Sequence, residues 1–384
     1  MLRIGYDAKQ LFNNFAGLGS YSRTLLANLA EYYPDNAYFL YTPRITRRED
    51  TSFFLNSALY NVQLPRRGPA FYWRAAGIRR DLQRHRIGLF HGLANGLPFG
   101  LGRTDIRSIV TVHDLGFLHF PQHYSFIQRK TLDFRHRSAC QHASHIVAIS
   151  ESTKRDIMHF YGIGEEKITV VYQSCSERFL QERAQKTIEA VHRRYRLPEE
   201  YLLTVGAITA RKNLLGMVRA LQLLPESVRL PLVVAGAGGP YKARVQRYIQ
   251  QNRLEKWVHF IESSFADLPA IYQDASLFLY PSFFEGFGLP ILEALFSEVP
   301  VLASNTSSLP EAGGPGALLV DPSQPEQIAA GIEKILTDEA YRNSLVEKGY
   351  EHAQQFRGEP LAHQLMALYK RVAGGGHTEP EPIT

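Results

Sequence analysis

The sequence predicts an α/β fold made of two doubly wound, Rossmann-like domains with a cleft between them. Three observations carry this. The chain has 384 residues, more than a single hydrophobic core usually organises. Short apolar runs alternate with helical patterns, which marks parallel sheets under crossover helices. The alternation breaks once, between 174 and 198, and then resumes.

In order, the first set of runs predicts strands at Arg3–Tyr6, Tyr38–Thr42, Leu89–His91, Ser108–His113 and His145–Ile149. The second set predicts Tyr201–Val205, Leu232–Ala235, Val258–Ile261, Leu277–Tyr280 and Val299–Ala303. Ser174-Cys175-Ser176, a charged stretch and Leu197-Pro198-Glu199-Glu200 separate the sets. The expected domains are therefore 1–175 and 199–357, joined by a linker at 176–198. A helical pattern from Glu326 to Phe356, interrupted once, closes the second domain. A further helix within 358–373 (Leu361–Val372) is expected to pack back on the first domain. Gly374-Gly375-Gly376 opens a tail, 374–384, expected to be flexible.

Composition narrows the function classes. Hydrophobic residues make up 45% and charged residues 21% of the chain, enough apolar content for large cores and against global disorder. No run of eighteen apolar residues suggests a transmembrane helix, and the start turns polar too soon for a signal peptide. Two cysteines, Cys140 and Cys175, fit free thiols in a reducing cytoplasm. No Cys/His cluster has zinc-ligand spacing, so no metal site is expected. The net charge is +6, and residues 1–190 hold 25 Lys and Arg against 16 Asp and Glu. A basic first half suits an anionic partner: nucleic acid, acidic lipid or a phosphorylated acceptor. It also suits a merely soluble surface.

Ligands of open α/β sheets sit beyond the carboxyl ends of the strands, so the loops there hold the candidate residues. Ala16-Gly17-Leu18-Gly19-Ser20 follows the first strand and precedes a helix expected at Tyr21–Leu29; small residues there suit a phosphate or a tight turn. His113-Asp114 ends an apolar strand, where packing explains a polar pair poorly. Arg211-Lys212-Asn213 puts a fork and a point charge at a helix start, where cations are disfavoured unless an anion joins them. Gly236-Ala237-Gly238-Gly239-Pro240 resembles half of a dinucleotide loop, although Pro240 and the spacing depart from it, and equally suits a loop lining a nucleotide pocket. The hydroxyls of Ser304-Asn305-Thr306-Ser307-Ser308 read as helix caps by default. The most informative unit is Glu285-Gly286-Phe287-Gly288-Leu289-Pro290-Ile291-Leu292-Glu293. Its glycines let backbone approach a ligand, Pro290 suits a first helical turn, and capping alone leaves the second carboxylate unexplained.

These pieces, in this order and together with Ala148-Ile149-Ser150-Glu151-Ser152-Thr153-Lys154-Arg155-Asp156 and Val320-Asp321-Pro322, resemble the retaining family 4 glycosyltransferases of the GT-B fold over nearly the whole chain. The Glu285…Glu293 unit is the specific piece. The resemblance implies a nucleotide-sugar donor held mainly by the second domain and an acceptor held mainly by the first. By that resemblance Arg211 and Lys212 neutralise the diphosphate, and the Gly17–Gly19 loop approaches the same phosphates. Glu293 takes the ribose hydroxyls. Glu285, with backbone N–H groups of Phe287, Gly288 and Leu289, holds hydroxyls of the transferred sugar, Gly286 lies in the same donor-binding turn, and His113 contacts the sugar's far hydroxyl or its ring face near the reacting carbon. The family generally needs no metal, and the chain lacks an Asp-x-Asp motif. Three positions depart from the commoner pattern: Ala207 where Arg is frequent, Gly314 for Asp, and Gln173-Ser174-Cys175 for Asn-Gly.

The loops look most like those of bacterial mannosyltransferases that use GDP-mannose in cell-surface polysaccharide or lipopolysaccharide synthesis; a UDP-sugar donor is the alternative. A lipid-linked oligosaccharide is a fitting acceptor. Phe71-Tyr72-Trp73-Arg74 with Arg79-Arg80, on one expected helix, suits peripheral docking on an anionic membrane at the inner face of the plasma membrane, unless Trp73 packs in the core and the arginines are solvated. Other readings are a non-transferase enzyme of the same fold, or a nucleic-acid binder, which explains the charge but not the acidic pair.

Overall fold

The computed structural model describes residues 1–65 and 69–374. The chain forms two compact units: Met1–Ser174 with the segment from Arg357 onward, and Cys175–Phe356. The expected tail lies, from residue 375, outside the described residues.

The first unit is built on seven parallel strands: β1 Arg3–Asp7, β2 Ala37–Tyr41, β3 Tyr60–Gln63, β4 Leu89–Gly92, β5 Arg107–Val112, β6 His145–Ala148 and β7 Ile168–Val170. Their order is β3-β2-β1-β4-β5-β6-β7, so the order reverses beside β1. Ile4 faces Tyr38 on one side and Leu89 on the other. Helices cover both faces, which is why the inner strands β4 and β6 are buried along their whole length. The second unit has six parallel strands: β8 Leu202–Val205, β9 Leu232–Ala235, β10 Val258–Ile261, β11 Leu277–Tyr280, β12 Val301–Ser304 and β13 Ala317–Val320. Their order is β10-β9-β8-β11-β12-β13. The ten strands expected from sequence lie within two residues of their observed ends. Strands β3, β7 and β13 were not expected, and all three sit on sheet edges.

The C-terminal helix Gly358–Gly374 packs on the helix Gly17–Tyr32, both within the first unit. It inserts Leu361, Leu365, Met366 and Tyr369 among Leu26, Leu29 and Tyr38. A buried polar chain pins it there. Tyr369 Oη lies 2.6 Å from His91 Nδ1, His91 Nε2 lies 2.8 Å from Thr111 Oγ1, and Thr111 Oγ1 lies 3.0 Å from Tyr21 Oη. Burial pushes the His91 imidazole down to about 3, so it is neutral and serves as a hydrogen-bonding strut.

Three local expectations need correction. The Gly17–Gly19 stretch is the first turn of the helix Gly17–Tyr32, not a loop before it. A Cβ on Gly19 would stand 1.7 Å from the Asn14 carbonyl oxygen, so close packing against the preceding turn already demands a glycine there. The stretch 176–198, expected as a linker, carries the helix Gln185–Tyr195, which packs on the helix Leu268–Gln273 of the second unit. The expected aromatic helix runs unbroken from Ala70 to Arg84 with a π-turn at Trp73–Gly77, but part of its docking motif turns inward. Trp73 is buried and donates its indole N–H to Asp81 Oδ2 at 2.6 Å, and Arg74 pairs with Asp7 at 2.5 Å. Phe71 and Tyr72 remain exposed.

Candidate functional site

In the second unit β8 and β11 are neighbours where the strand order reverses, so the loops after them meet. The loop after β8 carries Arg211-Lys212-Asn213, and the loop after β11 runs through Glu285 to Gly288. They are stitched together by backbone and side chain. The Phe283 N–H donates to the Arg211 carbonyl at 2.9 Å. Asn213, held in the left-handed region at φ 59°, donates its amide to the carbonyls of Pro281 at 3.1 Å and Pro322 at 2.6 Å.

That stitching delivers two cations to one carboxylate. Arg211 Nη1 lies 2.6 Å from Glu285 Oε2, and Lys212 Nζ lies 2.7 Å from Glu285 Oε1. Arg211 also donates to the Phe284 carbonyl, and Lys212 to Tyr280 Oη. Burial pushes the Glu285 carboxyl up, but Lys212 and Arg211 together outweigh it and hold it below the usual carboxylate range. The three side chains sum to a net charge of +1, placed over strand carboxyl ends. Such a cluster can accept an anion without surrendering the internal pair.

The hydroxyls of the loop after β12 have a role that the capping expectation missed. Ser308 donates to the carbonyls of Glu285 at 2.9 Å and Phe287 at 2.8 Å. Thr306 donates to the Phe283 carbonyl at 3.1 Å, and Ser307 Oγ accepts the Glu285 N–H at 3.0 Å. None caps the helix Leu309–Gly313 through its side chain. They hold the glutamate loop in shape. Gly288 then opens the helix Leu289–Phe296 at φ 131°, a conformation that favours glycine, and Pro290 stands in the first helical turn.

Glu293 lies on that helix, and Tyr272 donates its hydroxyl to Glu293 Oε2 at 2.8 Å. Burial raises the carboxyl to about 7, against the opposing pull of the Tyr272 hydrogen bond and the Lys212 charge. Sequence gave no signal for Tyr272; it reads as one more core aromatic on the helix Leu268–Gln273.

In the first unit His113 directly follows β5 and is buried. Its Nε2 lies 2.8 Å from the Leu93 carbonyl, which fixes that nitrogen as the donor, and Nδ1 accepts from the Gln173 amide at 3.2 Å. Burial lowers its pKa, so the ring is neutral. Gln173, one of the departures from the common pattern, is thus a direct partner of His113. Ser150 caps the helix Glu151–Tyr161, and Thr153 donates to the His113 carbonyl at 3.2 Å. The structure therefore brings Arg211, Lys212, Glu285 and Glu293 onto one unit, while Gly17, Gly19 and His113 lie on the other.

Residues 16–174 match the model of Glycosyltransferase Family 4, and residues 187–352 match that of Glycosyl transferases group 1. The chain is 27% identical over 385 residues to O-antigen chain mannosyltransferase B of Escherichia coli, covering 96% of this chain and all of the relative. Among solved structures, sucrose-phosphate synthase from Thermosynechococcus elongatus superposes with a TM-score of 0.80 at 20% identity, over 98% of this chain and 100% of that one. Anabaena HepE in complex with UDP and glucose superposes with a TM-score of 0.76 at 17% identity, over 96% and 100%.

Proposed function

Because the chain belongs to the glycosyltransferases that join a Family 4 domain to a group 1 domain, we propose that it moves mannose from GDP-mannose, with retention, to a glycan or lipid-linked acceptor of cell-surface polysaccharide. The observation that carries this is the Arg211–Lys212–Glu285 cluster beside Glu293, at the meeting of the loops after β8 and β11. The mannose assignment leans on the name of the Escherichia coli relative.

In this reading Arg211 and Lys212 hold the diphosphate, with backbone of Gly286, Phe287, Gly288 and Leu289 beside it. Each Glu285 oxygen already meets one cation, yet a carboxylate keeps further lone pairs for a sugar hydroxyl. Glu293 accepts the ribose hydroxyls. Gly17, Gly19 and His113 keep the roles the family resemblance gives them; a neutral His113 with a fixed tautomer positions rather than moves protons. The bond from the anomeric carbon to the phosphate oxygen breaks, and the bond to the acceptor oxygen forms on the same face. The departing phosphate oxygen takes the acceptor proton. Charge stabilisation of an oxocarbenium-like transition state carries the rate, and this chemistry needs no metal or cofactor. Exposed Phe71 and Tyr72 leave room for peripheral contact with an anionic membrane from the cytoplasmic side, although Trp73 and Arg74 are engaged within the fold.

Thermal shift with GDP, UDP and their sugars, followed by nucleotide release on turnover, tests the proposal. Stabilisation by GDP and GDP-mannose is expected. A larger response to UDP and a UDP-hexose moves the assignment to a UDP-sugar donor, and no response to any nucleotide overturns the transferase roles given to these residues.

A further inference from the structure

The first unit carries its own cluster of cations, at the equivalent place in its sheet. The strand order reverses between β1 and β4. Asp7 ends β1, and Lys9 follows it, with its N–H donating to Asp7 Oδ1 at 3.2 Å. Arg74 grips the same carboxylate through Nε at 2.9 Å and Nη2 at 2.5 Å. Arg44, beyond β2, is anchored by its Nε on Asn13 Oδ1 at 3.1 Å. Arg135 reaches in from the helix Phe126–His142, and its Nη2 stands 3.6 Å from where a Cβ on Gly96, in the loop after β4, would lie.

Four cations thus gather beyond the carboxyl ends of the adjacent strands β2, β1 and β4, where Arg74 already engages Asp7. The side chains of Lys9 and Arg135 make no hydrogen bond or ion pair among the described residues. They feel one another: burial lowers the Lys9 pKa, Arg74, Arg135 and Arg44 lower it further, and burial and then Arg74 lower that of Arg135, in both cases against the opposing pull of Asp7. Like charges held this close cost free energy unless an anion joins them. The fold secures two of the four, Arg74 and Arg44, by hydrogen bonds.

We propose that Lys9, Arg44, Arg74 and Arg135 form a binding site for a phosphate group, over the carboxyl ends of β1 and β4. Arginine forks and a lysine point charge suit the three oxygens of a phosphate monoester or the two of a diester. Resting on the transferase reading, the phosphate belongs to the acceptor. The phosphate binding itself stands apart from that reading.

The test is calorimetric titration of the full chain with inorganic phosphate at low salt, on an R211Q background so that the cation cluster of the second unit competes less. R135Q and K9Q are each expected to weaken phosphate binding about tenfold, the scale of one charged hydrogen bond. R247Q, on an exposed helix of the second unit, is expected to leave it unchanged. Co-sedimentation with phosphatidylglycerol vesicles separates the sources. Loss of both phosphate and vesicle binding in R135Q supports the site with a lipid head group as ligand. Loss of phosphate binding alone supports it with a soluble phosphorylated acceptor. Equal phosphate affinity with and without Arg135, or no phosphate binding in the parent, overturns the site. Nucleotide thermal shifts, read on R135Q with Arg211 intact, keep the two proposals apart: they should persist, and their absence in the native chain counts only against the transferase roles.

Discussion

Glu285 Oε1 lies 2.7 Å from Lys212 Nζ, although the two residues belong to loops that follow different strands. Arg211 takes the other carboxylate oxygen. The residue expected to hold sugar and the residues expected to hold phosphate thus form one electrostatic unit. Removing the carboxylate strands two cations, one of them well shielded from water. Glu285→Ala should therefore cost about 3 kcal/mol of stability, the range for breaking a shielded pair. A nucleoside diphosphate should recover much of that loss, because its phosphates replace the missing anion. Urea midpoints with and without GDP or UDP measure both; a variant as stable as the parent would show that the pairing contributes nothing.

Turnover should separate the two glutamates. Glu285→Ala is expected to lower kcat with nucleotide affinity undiminished or raised, and Glu293→Ala to weaken nucleotide binding. Equal loss of affinity in both variants would sink this division of roles.

Glu293 also sets a pH dependence. Its carboxyl titrates near 7, raised by burial from an ordinary 4.5. A raised carboxyl pKa favours the fold below 4.5, and that contribution fades as pH climbs through 7. Nucleotide binding runs the opposite way, since ribose hydroxyls donate best to the ionised form. Affinity for nucleotide should rise about tenfold from pH 6 to pH 8. Glu293→Gln should flatten the profile, and Tyr272→Phe, which removes the donor to Oε2, should move its midpoint upward. A parent profile flat across this range contradicts the role.

Asn213 fastens the Arg211-Lys212 loop to two other loops through its buried amide. Asn213→Ala leaves the Pro281 and Pro322 carbonyls without that donor and puts alanine at a left-handed φ of 59°. The expected loss is about 2 kcal/mol, seen as a lower urea midpoint, with a reduced kcat because the two cations lose their frame.

Met366 is fully buried on the C-terminal helix, against the core of the first unit. Met366→Ala should cost about 2–5 kcal/mol. Differential scanning calorimetry should show this loss; a change below 1 kcal/mol would mean the helix contributes little to the unit's stability.

Much of this protein is legible in its residues. The apolar runs locate ten of the thirteen strands among the described residues; nine of the ten are inner parallel strands, buried on both faces and apolar throughout, and β10 is an edge. The three missed strands, β3, β7 and β13, are edges with partly exposed residues, so their composition blends into loop. Helix Gln185–Tyr195 went unseen for a related reason: Val191 is its sole buried residue. Trp73 shows the limit from the other side, since the same aromatic suits a core or a membrane until Asp81 is seen to take its N–H. The residue types of the site, two cations and two carboxylates on loops after strands, follow from local sequence because backbone geometry and charge there are local matters. Which carboxylate meets which cation does not. Glu285 pairs with Arg211 and Lys212, Tyr272 with Glu293, and Gln173 with His113, because strand order brings distant segments within hydrogen-bond reach. Strand order is decided by how the sheet buries its faces as a whole, and no short stretch of the chain encodes it.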